Sequence, residues 1–336
     1  MSEEFNLIDR YFLPLSQNLS ADEVGIGDDG AVLTPPENHQ LVVVTDTLVA
    51  GVHFPLETSA YDVAWKALAV NLSDLAAMGA IPGSFTLALT LPENDPAWLE
   101  SFSLGLAELS RLYRISLVGG DTTKGPLTVT VTANGWVEKG RAILRSGADE
   151  GDLICASGCL GDAGLGLKVA MRTFEGNQQA CLSKADMESC LEALNRPKPQ
   201  LDLGRQLTDF ASAAIDVSDG LLADLGHILE KSSAKTGRVL GAELYLDQVP
   251  ISEAMRKWID ETGDWSLPLS AGDDYQLCFT VREKDWEALS TRLVGLQMDV
   301  KPIGRIQSVQ GVQIKETEGG EVLSDVLSII NGYQHF

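Results

Sequence analysis

Several short apolar runs in this sequence end in aspartate, and the clearest of them is Val42-Val43-Val44-Thr45-Asp46. Three β-branched residues in a row predict a buried strand, which here ends on a carboxylate where the backbone leaves the sheet. The other runs are closed by Asp28, Asp29, Asp74, Asp121, Asp216 and Asp219. Carboxylate oxygens are preferred ligands of Mg²⁺, and bound Mg²⁺ attracts polyphosphate. The sequence therefore predicts that these side chains converge on divalent ions that carry a nucleoside triphosphate.

Glycines accompany the acidic residues in two segments. In residues 25–33, Asp28 and Asp29 lie between glycines ahead of a short apolar strand. This segment forms either a surface turn, which Asp-Gly favours, or a flexible loop whose carboxylates reach a cation. Residues 116–125 predict a strand that ends in Gly119-Gly120-Asp121, where backbone N–H groups could approach an anion. That pattern resembles a phosphate cradle, with an ordinary turn as the alternative, and the P-loop pattern Gly-x-x-x-x-Gly-Lys-Ser/Thr is absent from the chain.

Asp74 is the only charged residue between Ala67 and Met78, within the clearest predicted helix, residues 61–78. An unpaired carboxylate in apolar surroundings is costly, so this one should be coordinated, paired or protonated. We favour a metal ligand. The alternative is an aspartate that reaches solvent beside Asn71.

A second acidic cluster, Asp216, Ser218 and Asp219, precedes an apolar helix predicted over about residues 221–231. Helix capping accounts for one of these residues but not for three together, which favours a role in a site. Arg145 lies in a Ser-Gly loop, where it either binds a phosphate or is an ordinary surface arginine.

His53 follows a glycine bend shortly after Asp46. A lone histidine is usually structural or solvated. The short spacing from Asp46 favours a position in the same cleft.

Charge and composition restrict the classes of partner. The 336 residues carry a formal net charge of −23, which argues against nucleic acid, because proteins that bind it present basic surfaces. No apolar run approaches the roughly 20 residues that span a bilayer, and the acidic start is unlike a signal peptide. Five cysteines without a Cys-x-x-Cys pair favour reduced thiols. We therefore predict a cytoplasmic protein with no membrane segment.

The order of elements predicts an α/β fold with mixed α+β sheets in two domains, residues 1–147 and 148–336. Residues 5–20 predict a leading helix or arm. The second domain opens with a strand and a glycine loop, residues 152–166, whose spacing is not the Gly-x-Gly-x-x-Gly of dinucleotide-binding folds. Further helices are predicted at 96–113, 184–194, 200–211, 221–231, 252–261 and 284–294, and further strands at 84–91, 127–137, 242–247, 301–305 and 312–315.

Taken together, these motifs resemble those of thiamine-monophosphate kinases, in order and over about residues 5–336. The segments that carry the resemblance are Gly25-Ile-Gly-Asp-Asp, Thr45-Asp46-Thr47-Leu48, Gly51-Val-His-Phe, Asn71-Leu-Ser-Asp, Gly119-Gly-Asp, Arg145-Ser-Gly, Asp216-Val-Ser-Asp-Gly and the ending Gly332-Tyr-Gln-His-Phe336.

The resemblance implies the two-domain fold of aminoimidazole ribonucleotide synthetases, a homodimer, and transfer of the γ-phosphoryl group of ATP to thiamine monophosphate with several Mg²⁺ ions. The first domain would bind metal and ATP, and the second would complete the nucleotide and substrate sites. The Mg²⁺ ligands it implies are Asp29, Thr45, Asp46, Asp74, Asp121, Asp216 and Asp219. The ATP contacts it implies are Gly120, Asp121, Arg145 and Ser218, and the substrate contacts are His53, Asp273 and Tyr333.

Three positions depart from the family's pattern. Asp273 stands where the family usually has glutamate, so its shorter side chain would hold the substrate less closely or through water. Val44 replaces a frequent Ser or Thr, so only its backbone carbonyl could contact a metal. Ser103 stands where some relatives place an aromatic residue near the nucleotide.

The acceptor implied by the resemblance is an ionised phosphate monoester, so we assign no general base and expect in-line transfer with metals screening both phosphates. Sister enzymes are the first alternative. A selenophosphate synthetase would want a cysteine near the N-terminus, whereas the first here is Cys155, and a hydrogenase-maturation dehydratase would want a C-terminal cysteine, whereas the chain ends in Phe336. The His-Phe ending lends no support to an aminoimidazole ribonucleotide synthetase. The second alternative is a non-catalytic Mg-nucleotide sensor, which would not need so many carboxylates.

Overall fold

The computed structural model describes residues 7–17 and 19–323. Their contacts divide the chain into two compact units, and the change from the first to the second falls between Arg141 and Ala142. A short segment, Ala76–Gly79, belongs to the second unit. The functional division into residues 1–147 and 148–336 stays a prediction.

The first unit is a four-stranded sheet with two long helices. Its elements are β1 (His39–Val49), α1 (Ala60–Ala77), β2 (Ile81–Leu91), α2 (Pro96–Tyr113), β3 (Ser116–Lys124) and β4 (Thr128–Glu138). The strand order is β1-β4-β2-β3, with β4 antiparallel to both of its neighbours and β2 parallel to β3. Strands β1 and β3, which carry the predicted site residues, therefore form opposite edges of one sheet.

Strand β1 is covered on one face only. Val42 and Leu48 are buried, whereas Leu41 is 53% and Val43 is 55% exposed. The prediction of a buried strand is therefore wrong for half of its residues. The physical reason is the alternation of side chains along a strand: one set faces the helices, and the other lies on the outer face of an edge strand.

Close packing between helix and helix and between helix and sheet sets the geometry of this unit. A Cβ added at Gly105 of α2 would lie 2.4 Å from the carbonyl oxygen of Tyr61, in α1. A Cβ added at Gly135 of β4 would lie 3.0 Å from the side chain of Leu75. Helix α2 begins cleanly because Asp95 accepts a hydrogen bond from the backbone N–H of Ala97 at 2.9 Å and Pro96 follows it.

The second unit is built on a six-stranded sheet. Its strands are β5 (Leu153–Ser157), β6 (Ala211–Asp216), β7 (Gly241–Tyr245), β8 (Leu277–Val281), β9 (Val300–Gln307) and β10 (Gly311–Lys315), in the order β10-β7-β9-β5-β8-β6. Its helices are α3 (Asp162–Met171), α4 (Lys184–Asn195), α5 (Leu201–Leu207), α6 (Leu221–Thr236), α7 (Glu253–Thr262), α8 (Ser266–Ser270) and α9 (Glu283–Gly295). One buried cluster joins the sheet to α6, and another joins α3, α4 and α7.

Two predicted helices differ from the structure. The leading segment forms a π-helical turn, Ile8–Phe12, and a 3-10 turn, Leu13–Leu15, instead of a regular helix; Pro14 lacks the N–H that a longer helix would need. The helix expected over 200–211 ends at Leu207, because β6 begins at Ala211 and pairs with β8. None of the helices in the described ranges is both long and apolar enough to cross a bilayer.

Replacing Gly105 with alanine should destabilise the first unit by about 1–3 kcal/mol, because the added methyl forces α1 and α2 apart. Urea unfolding measures this change. The matched control is Gly226→Ala in α6, where the added Cβ meets nothing within 4 Å. That variant should be neutral or stabilised by about 0.5–1 kcal/mol. Equal destabilisation of both variants would contradict the packing argument.

Candidate functional site

A cavity of about 720 Å³ in the first unit brings together the two glycine-acid segments. Asp28 and Asp29 line it from one side, and Gly119, Gly120 and Asp121 line it from the other. Ile8, Asp9 and Phe12 of the leading turns and further residues of the acidic loop, β2 and β3 complete the lining. This volume lies within the range of about 300–1,000 Å³ that small-molecule sites occupy. The structure thus brings Asp29, Gly120 and Asp121 to one cavity.

Different local interactions shape the two walls of the cavity. Backbone hydrogen bonds of 2.9 Å in both directions between Val24 and Val32 close the acidic loop, so Asp28 and Asp29 sit at its exposed tip. Gly120 is needed for packing, since an added Cβ would lie 1.9 Å from the carbonyl oxygen of Leu87 in β2. A Cβ added at Gly119 would meet nothing within 4 Å, so the space beside this glycine is open.

The side chains of Thr45 and Asp46 lie on opposite faces of β1. Thr45 lies on the outer face of the sheet, where its hydroxyl donates to the hydroxyl of Thr132 at 3.0 Å. Asp46 lies on the inner face, half-buried, and burial raises the pKa of its carboxyl group. Because successive side chains alternate across a sheet, the two side chains of one chain cannot reach one ion together.

The sheet register also separates Asp46 from the cavity. One row across the sheet joins Asp46, Val131, Leu87 and Gly120. Three strand spacings put the first and last of these residues about 14 Å apart. Neither Asp46 nor Asp74 lines the cavity that contains Asp29 and Asp121. Within one chain, the predicted metal ligands of this unit therefore form separate groups.

His53 is held in a tight loop after β1. The backbone N–H of Val49 donates to its Nδ1 at 3.0 Å, so the proton of the neutral ring resides on Nε2. The backbone carbonyl of His53 accepts a hydrogen bond at 3.4 Å from Nζ of Lys66, a residue that is only 2% exposed. Lys66 is not among the predicted site residues, although a lysine beside the largely apolar stretch 67–78 of the same helix was a visible signal.

Asp74 lies half-buried on α1, one turn after a buried carboxamide. Asn71 is fully buried, and its Nδ2 donates to the carbonyl of Ala67 at 3.0 Å. Its Oδ1 has no hydrogen-bond partner among the described residues. Residues three apart share a helix face. An amide oxygen and a carboxylate therefore lie side by side on α1.

In the second unit, two loops dock on each other through their backbones. The N–H of Asp273 donates to the carbonyl of Ser218 at 2.9 Å, and the N–H of Tyr275 donates to that of Val217 at 2.8 Å. These bonds bring Asp273 together with Ser218 and its neighbour Asp219. Residues predicted as substrate, nucleotide and metal contacts thus share one corner of this unit, beside the ends of β6 and β8.

Asp224, which sequence analysis missed, organises this corner. It is 2% exposed, and its Oδ2 accepts hydrogen bonds of 3.0 Å from the backbone N–H groups of Ser218 and Asp219. Burial and the nearby charge of Asp216 raise its pKa to about 8. The available signal was a further aspartate in the first turn of the apolar helix α6.

A second buried carboxylate, Asp274, holds the neighbouring glycine loop. Both of its oxygens accept hydrogen bonds of 2.9 Å from the N–H of Gly161, at the start of α3. Burial raises its pKa well above the ordinary value. Asp274 therefore serves the structure, whereas its half-buried neighbour Asp273 presents a carboxylate beside the corner.

The two remaining predicted residues stand apart. Arg145 is exposed. The carbonyl of the preceding residue, Leu144, accepts a hydrogen bond of 3.1 Å from the N–H of Ala214, on the outer edge of β6. Tyr333 lies outside the described residues.

The residues present fit Mg²⁺ by chemistry but do not form a ready-made cage. Across residues 7–17 and 19–323, no group of three or more His, Cys, Asp or Glu side chains is arranged to hold a metal ion. The oxygen atoms present are nevertheless the hard ligands that Mg²⁺ prefers. They include Oδ1 of Asn71, which has no hydrogen-bond partner among the described residues. Mg²⁺ is typically bound by one or two carboxylates, retained water and substrate phosphates. The carboxylates present could therefore supply one or two of the ligands of such an ion.

Replacing Asp224 with alanine should destabilise the second unit by about 2 kcal/mol, because two N–H groups of the 216–220 loop lose their acceptor. Asp224→Asn is the matched variant. The carbonyl oxygen of its amide can accept both bonds, and its neutrality matches a carboxyl whose pKa is about 8. Chemical denaturation at pH 7 compares the two variants. An equal loss of stability in both variants would show that the two hydrogen bonds to Oδ2 of Asp224 do not stabilise the second unit.

The sequence is similar to a family model and to known proteins. Residues 27–137 match the family described as AIR synthase related protein, N-terminal domain. The thiamine-monophosphate kinase of Salmonella typhimurium is 43% identical over 336 residues, covering 99% of this chain and 98% of the relative.

Two solved structures extend the likeness to the fold. The crystal structure of thiamine-monophosphate kinase from Stenotrophomonas maltophilia K279a has 46% sequence identity and a TM-score of 0.83, with 94% of this chain and 97% of that chain covered. AaThiL complexed with AMPPCP and TMP has 28% identity and a TM-score of 0.75, with coverages of 99% and 97%. The predicted aminoimidazole ribonucleotide synthetase-like α/β fold is confirmed. The chain therefore belongs to the thiamine-monophosphate kinase family of phosphotransferases.

Proposed function

We propose that this protein transfers the γ-phosphoryl group of ATP to thiamine monophosphate, giving thiamine diphosphate and ADP, in the cytoplasm. The observation that carries the proposal is the likeness to thiamine-monophosphate kinases along the whole chain. A similar structure was solved with AMPPCP and TMP. The cavity beside Gly119, Asp29 and Asp121 supports a polyphosphate site, since it combines a small-residue wall with carboxylates that hold Mg²⁺.

In the proposed mechanism, the chain positions two anions that repel each other. Asp29, Asp46, Asp74, Asp121, Asp216 and Asp219, with Thr45, would hold several Mg²⁺ ions, which supply charge neutralisation of both phosphates when bound. Gly120, Asp121, Arg145 and Ser218 would contact ATP. His53, Asp273 and Tyr333 would contact the acceptor. The acceptor phosphate is already ionised, so no side chain acts as a general base and transfer is in line.

Product analysis tests the activity directly. Purified protein is incubated with ATP, Mg²⁺ and a panel of phosphorylated acceptors, and ADP and phosphorylated products are quantified. Thiamine diphosphate formation with thiamine monophosphate alone supports the proposal. ADP release with another acceptor would favour a sister enzyme, and nucleotide binding without ADP release would favour a sensor.

Replacing Asp46 or Asp74 with asparagine should lower turnover by about 100-fold or more at saturating Mg²⁺, because each change removes a charge that balances the transferred phosphoryl group. Coupled ADP release measures turnover, and circular dichroism checks the fold. Glu100→Gln, an exposed change on α2, is the control and should retain full activity. Near-normal turnover of Asp74→Asn would refute its role in metal binding.

A homodimer through the outer face of the first sheet also forms part of the proposal. Leu41, Val43 and Ile81 are exposed on β1 and β2 by 53%, 55% and 44%. Exposed apolar side chains beside one another mark interaction surfaces.

Val43→Glu should convert the dimer to monomer and reduce activity, because it places charge in an apolar interface. Analytical ultracentrifugation measures the mass. Val294→Glu on α9 is the control, since Val294 is 76% exposed in the second unit and the change should leave the dimer intact. A wild-type monomer at micromolar concentration would end this part of the proposal.

A further inference from the structure

The loop that carries Asp273 has an unusual backbone. Gly272, Asp273 and Tyr275 have φ angles of 74°, 62° and 49°. Left-handed backbone is easy for glycine and tolerated by aspartate, but it is strained for a bulky residue such as tyrosine. Such strain persists only where surrounding contacts enforce it, and it concentrates at functional sites. The feature to explain is why Tyr275 is held in this conformation.

The left-handed turn folds the tyrosine ring back along its own loop. The hydroxyl of Tyr275 donates to Oδ1 of Asp273 at 3.0 Å, and the tyrosine is only 8% exposed. The backbone N–H of Tyr275 is fixed separately, on the carbonyl of Val217. The backbone bond anchors the residue. The hydroxyl at the far end of the ring donates its hydrogen bond to the carboxylate two residues earlier.

A hydroxyl that donates to a carboxylate fixes the carboxylate's rotamer through a charge-assisted bond. Asp273 is half-buried, so its orientation matters for whatever meets it at the corner formed with Ser218. An aspartate has a shorter reach than a glutamate, so it has less freedom to correct a poor orientation. Fixing a binding group before the ligand arrives lowers the entropy lost on binding.

We propose that Tyr275 is a positioning residue: its hydroxyl orients the Asp273 carboxylate for the acceptor substrate and thereby sets acceptor affinity. The inference rests on the proposed function, in which Asp273 contacts thiamine monophosphate. The acceptor carries a cationic ring and an amino group, which are the chemical features that a fixed carboxylate recognises. ATP has an amino group on its adenine but no cationic ring, and the proposal does not place it at Asp273, so its binding should not depend on Tyr275.

The matched pair of variants is Tyr275→Phe and Tyr245→Phe. Both remove one hydroxyl from a buried tyrosine that donates to a carboxylate. Tyr245 donates to Glu243 Oε2 at 3.4 Å on β7, which β9 and β5 separate from β8. Steady-state kinetics with ATP and thiamine monophosphate are measured for both variants, for Asp273→Asn and for the double variant Tyr275→Phe with Asp273→Asn, together with melting temperatures.

For Tyr275→Phe, KM for thiamine monophosphate should rise about tenfold, in line with the loss of a hydrogen bond to a charged group. Its kcat and its KM for ATP should stay within about twofold of wild type, as should all constants of Tyr245→Phe. In the double variant, removing the hydroxyl should add nothing to the effect of Asp273→Asn, because the two residues act as one unit.

Three results would overturn the inference: an unchanged KM in Tyr275→Phe, an equal rise in KM for both substrates, or additive effects in the double variant. A lower melting temperature with unchanged kinetics would assign the hydroxyl to structure alone and would equally refute it. Failure of the proposed function looks different, since the wild-type protein itself would then form no thiamine diphosphate.

Discussion

Repulsion among carboxylates is the constraint on which this structure depends. The chain has a net charge of −23, and several of its aspartates lie at turns and strand ends around the cavity of the first unit and the corner of the second. The fold handles them in two ways. Asp224 and Asp274 are buried against backbone N–H groups, and burial raises the pKa of each. Asp28, Asp29 and Asp121 instead stay exposed around an open cavity, where solvent or a cation can screen them.

The buried carboxylates organise backbone, and the accessible ones are left for ligands. Asp224 gathers the N–H groups of Ser218 and Asp219, so this loop begins α6 in a defined conformation. The 271–276 loop then docks on it through two backbone hydrogen bonds, and its left-handed turn carries Asp273. Strain of about 1–3 kcal/mol at a residue such as Tyr275 is sustained by these surrounding bonds. The corner is therefore a rigid frame that presents a few side chains.

In the first unit, the pairing register of the strands decides which acidic residues lie close together. It brings Gly120 and Asp121 to the acidic loop, but it leaves Asp46 about 14 Å away at the other edge. It also sends Thr45 and Asp46 to opposite faces. The same alternation exposes Leu41 and Val43. The incomplete grouping of the acids follows from β1 and β3 lying at opposite edges of the sheet, whereas the exposure of Leu41 and Val43 follows from the alternation of side chains along β1.

The sequence by itself determined the fold class, most element bounds and the glycine-acid segments that the structure places around a cavity, because hydrophobic periodicity and turn residues are local signals. The helix at 96–113 and the glycine-acid loops are examples. Only the tertiary structure decided which of these segments meet. It showed that Gly120 is required by the carbonyl of Leu87, that Val43 is exposed, and that Asp224 and Tyr275 hold the loops of the second unit. Such facts depend on strand register and on contacts between residues distant in the chain, and no local pattern encodes them.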